Sequence, residues 1–135
     1  MKNKVSRVIL DTNLWISFLI TNDFTKLDKL LFSDKCRLLF SEELLEEFLT
    51  VVKRPKFRRF FTQNNLEELL EIIEEYAEFV DVKTEVNVCR DRKDNFLLSL
   101  SHDGQADYLI TGDKDLLALN KFETTTITTI SNFLK

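Results

Sequence analysis

A chain of 135 residues, 44% of them apolar, is long enough for one domain with a substantial core, and the expectation is a single domain over residues 1–135. One proline and two glycines exclude long coil linkers and low-complexity segments. A net charge of −4 excludes a protein that coats nucleic acid by bulk phosphate neutralisation, and the two cysteines, Cys36 and Cys89, lack the spacing of a zinc site or a disulfide framework.

Residues 1–7 are basic but lead into a short apolar run, residues 8–10, that Asp11 ends, which reads as neither signal peptide nor membrane span. Residues 5–10 read as a buried parallel strand, so Asp11 is placed at a strand's carboxyl end. Residues 14–20 read as a helix, and Leu27, Leu30 and Leu31 continue helical spacing as far as Asp34. A short strand is expected at residues 37–40, where Cys36 and, later, Cys89 read as buried thiols of a reducing compartment. Ser41 is the expected N-cap of a helix carrying Leu44, Leu45, Phe48, Val51 and Val52 on one side; the glutamate of a complete capping box is missing. Pro55 ends that helix or opens the next turn. Five of the seven residues from Lys53 to Arg59 are basic, which reads as a local phosphate-binding ridge or as a solvated charged turn.

Over residues 66–77 the apolar positions follow helical period and Glu67, Glu68, Glu71, Glu74 and Glu75 fill the other face, as in an amphipathic surface helix. Strands are then expected at residues 79–82, 107–110 and 124–127, and helices at 95–101, 114–119 and 130–134. Strands and helices alternate, and this predicts an α/β fold with an open parallel sheet and helices on both faces.

Ligands of open α/β sheets gather outside the carboxyl ends of the strands. Asp11 and Asp113 follow predicted strands, Asp94 precedes the helix leading into the second of them, and a fourth acid is available from the helix after Ser41. A pocket of three or four carboxylates either raises some of their pKa values or recruits a cation, and oxygen-only ligands suit Mg²⁺, Ca²⁺ or Mn²⁺. Such an ion supplies most of what phosphodiester hydrolysis requires, with no nucleophilic side chain. His102, the only histidine, fits no nucleophile–base constellation and reads as a helix-end residue.

Four fragments in order carry a family resemblance: Asp11-Thr12-Asn13; Ser41 through Glu47, with Arg54-Pro55-Lys56-Phe57 downstream; Asp94-Asn95; and Ala106-Asp107-Tyr108-Leu109-Ile110-Thr111-Gly112-Asp113-Lys114-Asp115-Leu116-Leu117. Over residues 5–134 the chain resembles the PIN-domain nucleases, closest to the branch of toxin components of toxin-antitoxin pairs. The resemblance implies a three-layer α/β/α sandwich with a central parallel sheet of about five strands, and a Mg²⁺ or Mn²⁺ pocket. It implies hydrolysis of RNA to 5′-phosphate and 3′-hydroxyl ends. Position by position, Asp11, Glu47, Asp94 and Asp113 match the acidic quartet. Asn13 would hold Asp11 by hydrogen bonding, Thr111 would bond near the attacking water or a scissile phosphate, and Asp115 would add an outer contact or cap the helix at 114–119.

Two positions stay open. Glu47 lies about 40° outside the apolar stripe and Glu46 about 60° outside it, by the 100° helical step, and Asp91 competes with Asp94 across one turn. A cognate antitoxin and a homodimer are implied partners, with RNA as substrate, no membrane and a cytoplasmic location. A housekeeping RNA-processing nuclease and a silent RNA- or protein-binding module are the alternatives. A haloacid-dehalogenase-like phosphatase wants a second Asp where Asn13 stands.

Overall fold

Val8, Ile9 and Leu10 are all fully buried, a run of apolar residues that only a strand covered on both faces accommodates. The structure, a computed structural model that describes residues 5–21, 25–60 and 63–135, places them in β1 (Ser6–Leu10) inside a six-stranded sheet. β2 (Cys36–Phe40) and β4 (Tyr108–Ile110) flank β1, both parallel to it. With β3 (Glu78–Phe79), β5 (Lys121–Phe122) and β6 (Thr125–Thr128) the order is β3-β2-β1-β4-β6-β5. The chain therefore leaves β1 toward β2 on one side and returns to β4 on the other. A topological switch point, where crossovers diverge and leave a crevice, thus lies at the carboxyl ends of β1 and β4.

The helices are α1 (Thr12–Thr21), α2 (Thr25–Leu31), α3 (Glu42–Val52), α4 (Gln63–Tyr76), α5 (Arg92–Asp103), α6 (Lys114–Leu119) and α7 (Ile130–Phe133), with a 3-10 helix at Pro55–Phe60. They flank the sheet in the expected α/β arrangement. Ser41 caps α3, its hydroxyl accepting from the Leu44 N–H at 3.0 Å. α1 and α3 meet over the sheet through Trp15, whose ring packs edge-on against Phe40 at 5.6 Å and beside Phe48 at 6.4 Å. Phe48 is fully buried, so its neighbour Glu47 has a set direction.

The sheet departs from expectation in two places. It has six strands rather than five, because the segment before β6 folds back as β5, antiparallel to it, pairing Phe122 with Thr125. Glu123 opens this two-residue turn with φ 54, a hairpin geometry that usually selects glycine; no glycine marked the turn in the sequence. The strand expected at 79–82 is only Glu78–Phe79. Beyond Val80, α5 claims the main chain with its own side chains. Asp103 accepts from the N–H groups of Lys83 and Thr84, Ser99 from Val86, and Asn95 from Val88 and Cys89. Donors satisfied by a helix leave the sheet no ladder to extend. The cysteines are free, as expected, but half-buried rather than buried; burial still pushes both thiols up.

Arg7 ties three parts of the fold together. Its guanidinium donates to both oxygens of Glu78 (3.1 and 2.6 Å) and to the Gly104 carbonyl (2.8 Å), and its main-chain N–H donates to Asp107. Gly104, the cap of α5, has no room for a side chain: a Cβ there would lie 2.9 Å from Leu39 Cδ1 and 3.0 Å from the Leu100 carbonyl oxygen. Gly104→Ala is expected to destabilise the protein by about 1–3 kcal/mol, the usual range for overpacking. A urea midpoint equal to wild type would show that the junction yields.

Candidate metal centre

The ladder between β1 and β4 runs to its last rung, where the Asp11 N–H donates to the Ile110 carbonyl at 3.0 Å. Asp11 and Thr111, 100 positions apart in sequence, thus emerge side by side, and the Thr111 hydroxyl donates to Asp11 Oδ2 at 2.7 Å. The same hydroxyl accepts from the Asp113 N–H at 3.0 Å. Thr111, itself buried, is a bracket between two acid-bearing loops rather than a group facing the cavity. The second Asp11 oxygen accepts from the main-chain N–H of Asn13 at 3.2 Å, so the bond to Asp11 comes from the backbone and not from the exposed Asn13 side chain.

Asp11, Thr12, Asn13, Leu44, Glu47, Asp91, Lys93, Asp94, Leu97 and Asp113 line one cavity of about 150 Å³. At about 30 Å³ per water, it has room for an ion and several waters. The structure therefore brings together Asp11, Glu47, Asp94 and Asp113. Glu46 is exposed and is not among the lining residues. Asp91 lines the cavity as well, but it is the N-cap of α5, accepting from the Lys93 N–H at 2.9 Å. Asp94 sits in the first turn of that helix, almost wholly buried.

Oxygens of Asp94, Asp113 and Asp115 lie within 4.8 Å of one another. Asp113 does double duty as the N-cap of α6, one oxygen accepting from the N–H groups of Asp115 and Leu116 at 2.8 and 3.2 Å. Burial, followed by the charges of Asp113, Asp91, Asp11 and Asp115, pushes the Asp94 carboxyl up to about 6. A carboxylate raised in this way, among other carboxylates that line one hollow, has the chemistry of a site for a hard divalent cation. The residues present fit such an ion.

Lys93 is the one basic residue in the lining, with Nζ 3.2 Å from Glu47 Oε1. Sequence reasoning missed it, because its partner lies on another helix. It also gave Asp115 a lesser place than the geometry does, although that residue's position two after Asp113 was a usable signal. His102 lies elsewhere, exposed and paired with Glu123 at 2.7 Å, which raises its pKa. A larger hollow of about 500 Å³, lined by residues 82–87 together with Arg92, Asn95, Phe96 and Ser99, holds a single carboxylate, Glu85, and offers no comparable donor set.

A mostly parallel sheet with an acidic cavity at its carboxyl rim defines an α/β protein whose clustered carboxylates could hold a divalent cation. Residues 7–115 match the family profile described as PIN domain. The chain belongs to the PIN-domain family, whose members are generally metal-dependent nucleases. It is also 32% identical over 116 residues to the uncharacterized protein MJ1680 of Methanocaldococcus jannaschii, a match covering 84% of this chain and 74% of that one. No solved structure matches it significantly. Among the described residues no helix is long and apolar enough to cross a membrane.

Proposed function

We propose that this chain is a divalent-metal-dependent endoribonuclease, with Mg²⁺ or Mn²⁺ held by Asp94 and Asp113 and with Asp11 and Glu47 completing the acidic wall. The observation that carries this reading is the convergence of Asp94, Asp113 and Asp115 oxygens within 4.8 Å of one another, the first two residues lining the cavity. A cation bound there would polarise the phosphodiester and lower the pKa of a water, the chemistry that hydrolysis to 5′-phosphate and 3′-hydroxyl ends needs. The chain's own residues do the rest. Thr111 fixes Asp11 and the Asp113 backbone in one register. Asp94 is held by the first turn of α5, and Lys93 places a positive charge at the cavity wall for a non-bridging phosphate oxygen.

The reading extends to the toxin of a toxin-antitoxin pair, with a cognate antitoxin and a second copy of the chain as partners, in the cytoplasm, where free thiols such as Cys36 and Cys89 persist. Its test is incubation with a pool of cellular RNAs with and without EDTA, followed by mapping of the cut ends. Cleavage confined to the metal-containing sample, leaving 5′-phosphates, is the expected result. Intact RNA in both samples, with no Mn²⁺ bound in a titration, would leave a silent binding module in its place. For the toxin role, expression of wild type but not of Asp113→Asn is expected to arrest a bacterial host; equal growth of the two strains would overturn it.

Lys93→Met removes the one positive charge from the cavity wall. It is expected to tighten Mn²⁺ binding, read from the paramagnetic signal of free Mn²⁺, while weakening RNA turnover. Unchanged Mn²⁺ affinity would mean that Lys93 turns away from the acids in solution.

A further inference from the structure

The cluster Lys53, Arg54, Lys56, Arg58 and Arg59 plays no part in the acidic cavity. It gathers five cations into seven positions of a chain with net charge −4. All five are exposed, and among the described residues none of them has a carboxylate within ion-pair distance. Like charges at such spacing repel, and the cluster lowers the stability of the free protein unless a polyanion answers it.

Two aromatic rings lie among these cations. On the 3-10 helix Pro55–Phe60, Lys56 Nζ stands 5.1 Å from the centre of the Phe57 ring and Arg59 Cζ 4.9 Å from that of Phe60, both rings being only partly buried. Phe57 also packs against the core, so its ring is anchored on one side while part of it stays exposed among the cations. Rings and cations interleaved in this way are what a single-stranded nucleic acid needs, a π surface for a base and a counter-charge for its phosphate.

The ridge also continues from the helix that supplies Glu47 to the cavity. α3 carries Glu47 and ends at Val52, with Lys53 as its cap; six residues at about 1.5 Å each put Lys53 roughly 9 Å further along the helix axis. The 3-10 helix packs against α1, whose first residues, Thr12 and Asn13, line the cavity.

We propose that this ridge binds the backbone of single-stranded RNA, with Lys56 and Arg59 on phosphates and Phe57 and Phe60 against bases, holding a strand whose neighbouring segment enters the acidic cavity. The proposal rests on the reading of that cavity as an RNA-cleaving site. An acidic protein would use the charges but not the rings, which favours RNA as the occupant.

The test measures binding without cleavage: fluorescence anisotropy of a labelled oligouridylate in EDTA, over a range of salt concentrations. Lys56→Gln with Arg59→Gln, both exposed, should leave the fold intact and the thermal midpoint unchanged or slightly raised, since two of the mutually repelling charges are gone. The double variant is expected to bind about tenfold or more weaker, with a salt slope shallower by about 1.4, since each phosphate contact on a single strand contributes about 0.7. Phe60→Leu is expected to weaken binding while leaving that slope unchanged, because it removes the ring and no charge. The same affinity and slope in wild type and the double variant would overturn the proposal, as would oligoglutamate displacing the RNA at equal charge concentration, which would assign the ridge to an acidic protein. Cleavage in Mn²⁺ is scored separately. RNA bound through the ridge but never cut would defeat the hydrolase reading alone, whereas RNA cut equally well by the double variant with unchanged binding would defeat the ridge alone.

Discussion

Asp113→Asn is expected to lower metal-dependent RNA cleavage by about 100-fold or more while leaving the fold standing. The size follows from the function assigned to the carboxylate: removing one charged ligand from a catalytic cation site forfeits several kcal/mol of transition-state stabilisation. The tolerance of the fold follows from the cap. Asp113 accepts from two N–H groups of α6 through a single oxygen, and asparagine offers an equivalent oxygen and is as good an N-cap. Asp11→Asn is the less clean variant. Both Asp11 oxygens are used as acceptors, from Thr111 and from the Asn13 N–H, so an amide nitrogen in either place must make Thr111 or Asn13 find a new partner. It is expected to lose activity as well, with a stability cost of about 1 kcal/mol. Circular dichroism and a thermal melt separate the two effects, and Asp113→Asn enzyme that cuts RNA at the wild-type rate would remove Asp113 from the site.

The second large effect concerns pH. Asp94, buried among other acids, holds its proton up to about pH 6, whereas in the unfolded chain it releases it near 3.9. Between those values the folded state binds more protons than the unfolded one, so stability falls as pH rises and levels off above about 6. The whole contribution is on the order of 1–3 kcal/mol by linkage. Metal-free Asp94→Asn is therefore expected to match wild type near pH 4 and to exceed it by that amount at pH 7. Added Mn²⁺ reverses the trend for wild type, since a cation binds the deprotonated acids and stabilises the folded state only where they are ionised. Thermal midpoints at several pH values, with EDTA and with Mn²⁺, read both effects. Parallel wild-type and Asp94→Asn profiles in EDTA would show that Asp94 is not crowded by its neighbours. Glu78 and Asp103 shift the other way, Glu78 through its bond to Arg7 and Asp103 through bonds from Thr84 and Lys83 that outweigh its burial. Their contributions are present above the ordinary carboxylate range and are lost as pH falls below it.

Local pattern was enough for much of this molecule. The apolar run before Asp11 announced a strand buried on both faces, and the alternation of strands and helices announced a mainly parallel sheet. Ser41 announced the start of α3, and the acids after strands pointed to the rim where ligands collect. These signals are legible because burial period, capping and strand ends are properties of a few consecutive residues. Other features depend on neighbours distant in the chain. No local signal says that the hydroxyl of Thr111 brackets Asp11 and Asp113 or that Lys93 answers Glu47. Nor could propensity foresee that α5 would take the donors of the segment after β3, or that Glu123 would turn the chain with positive φ into an extra strand. The physical reason is common to all of them: a hydrogen bond or an ion pair belongs to two partners, and only packing of the whole chain sets which partners meet.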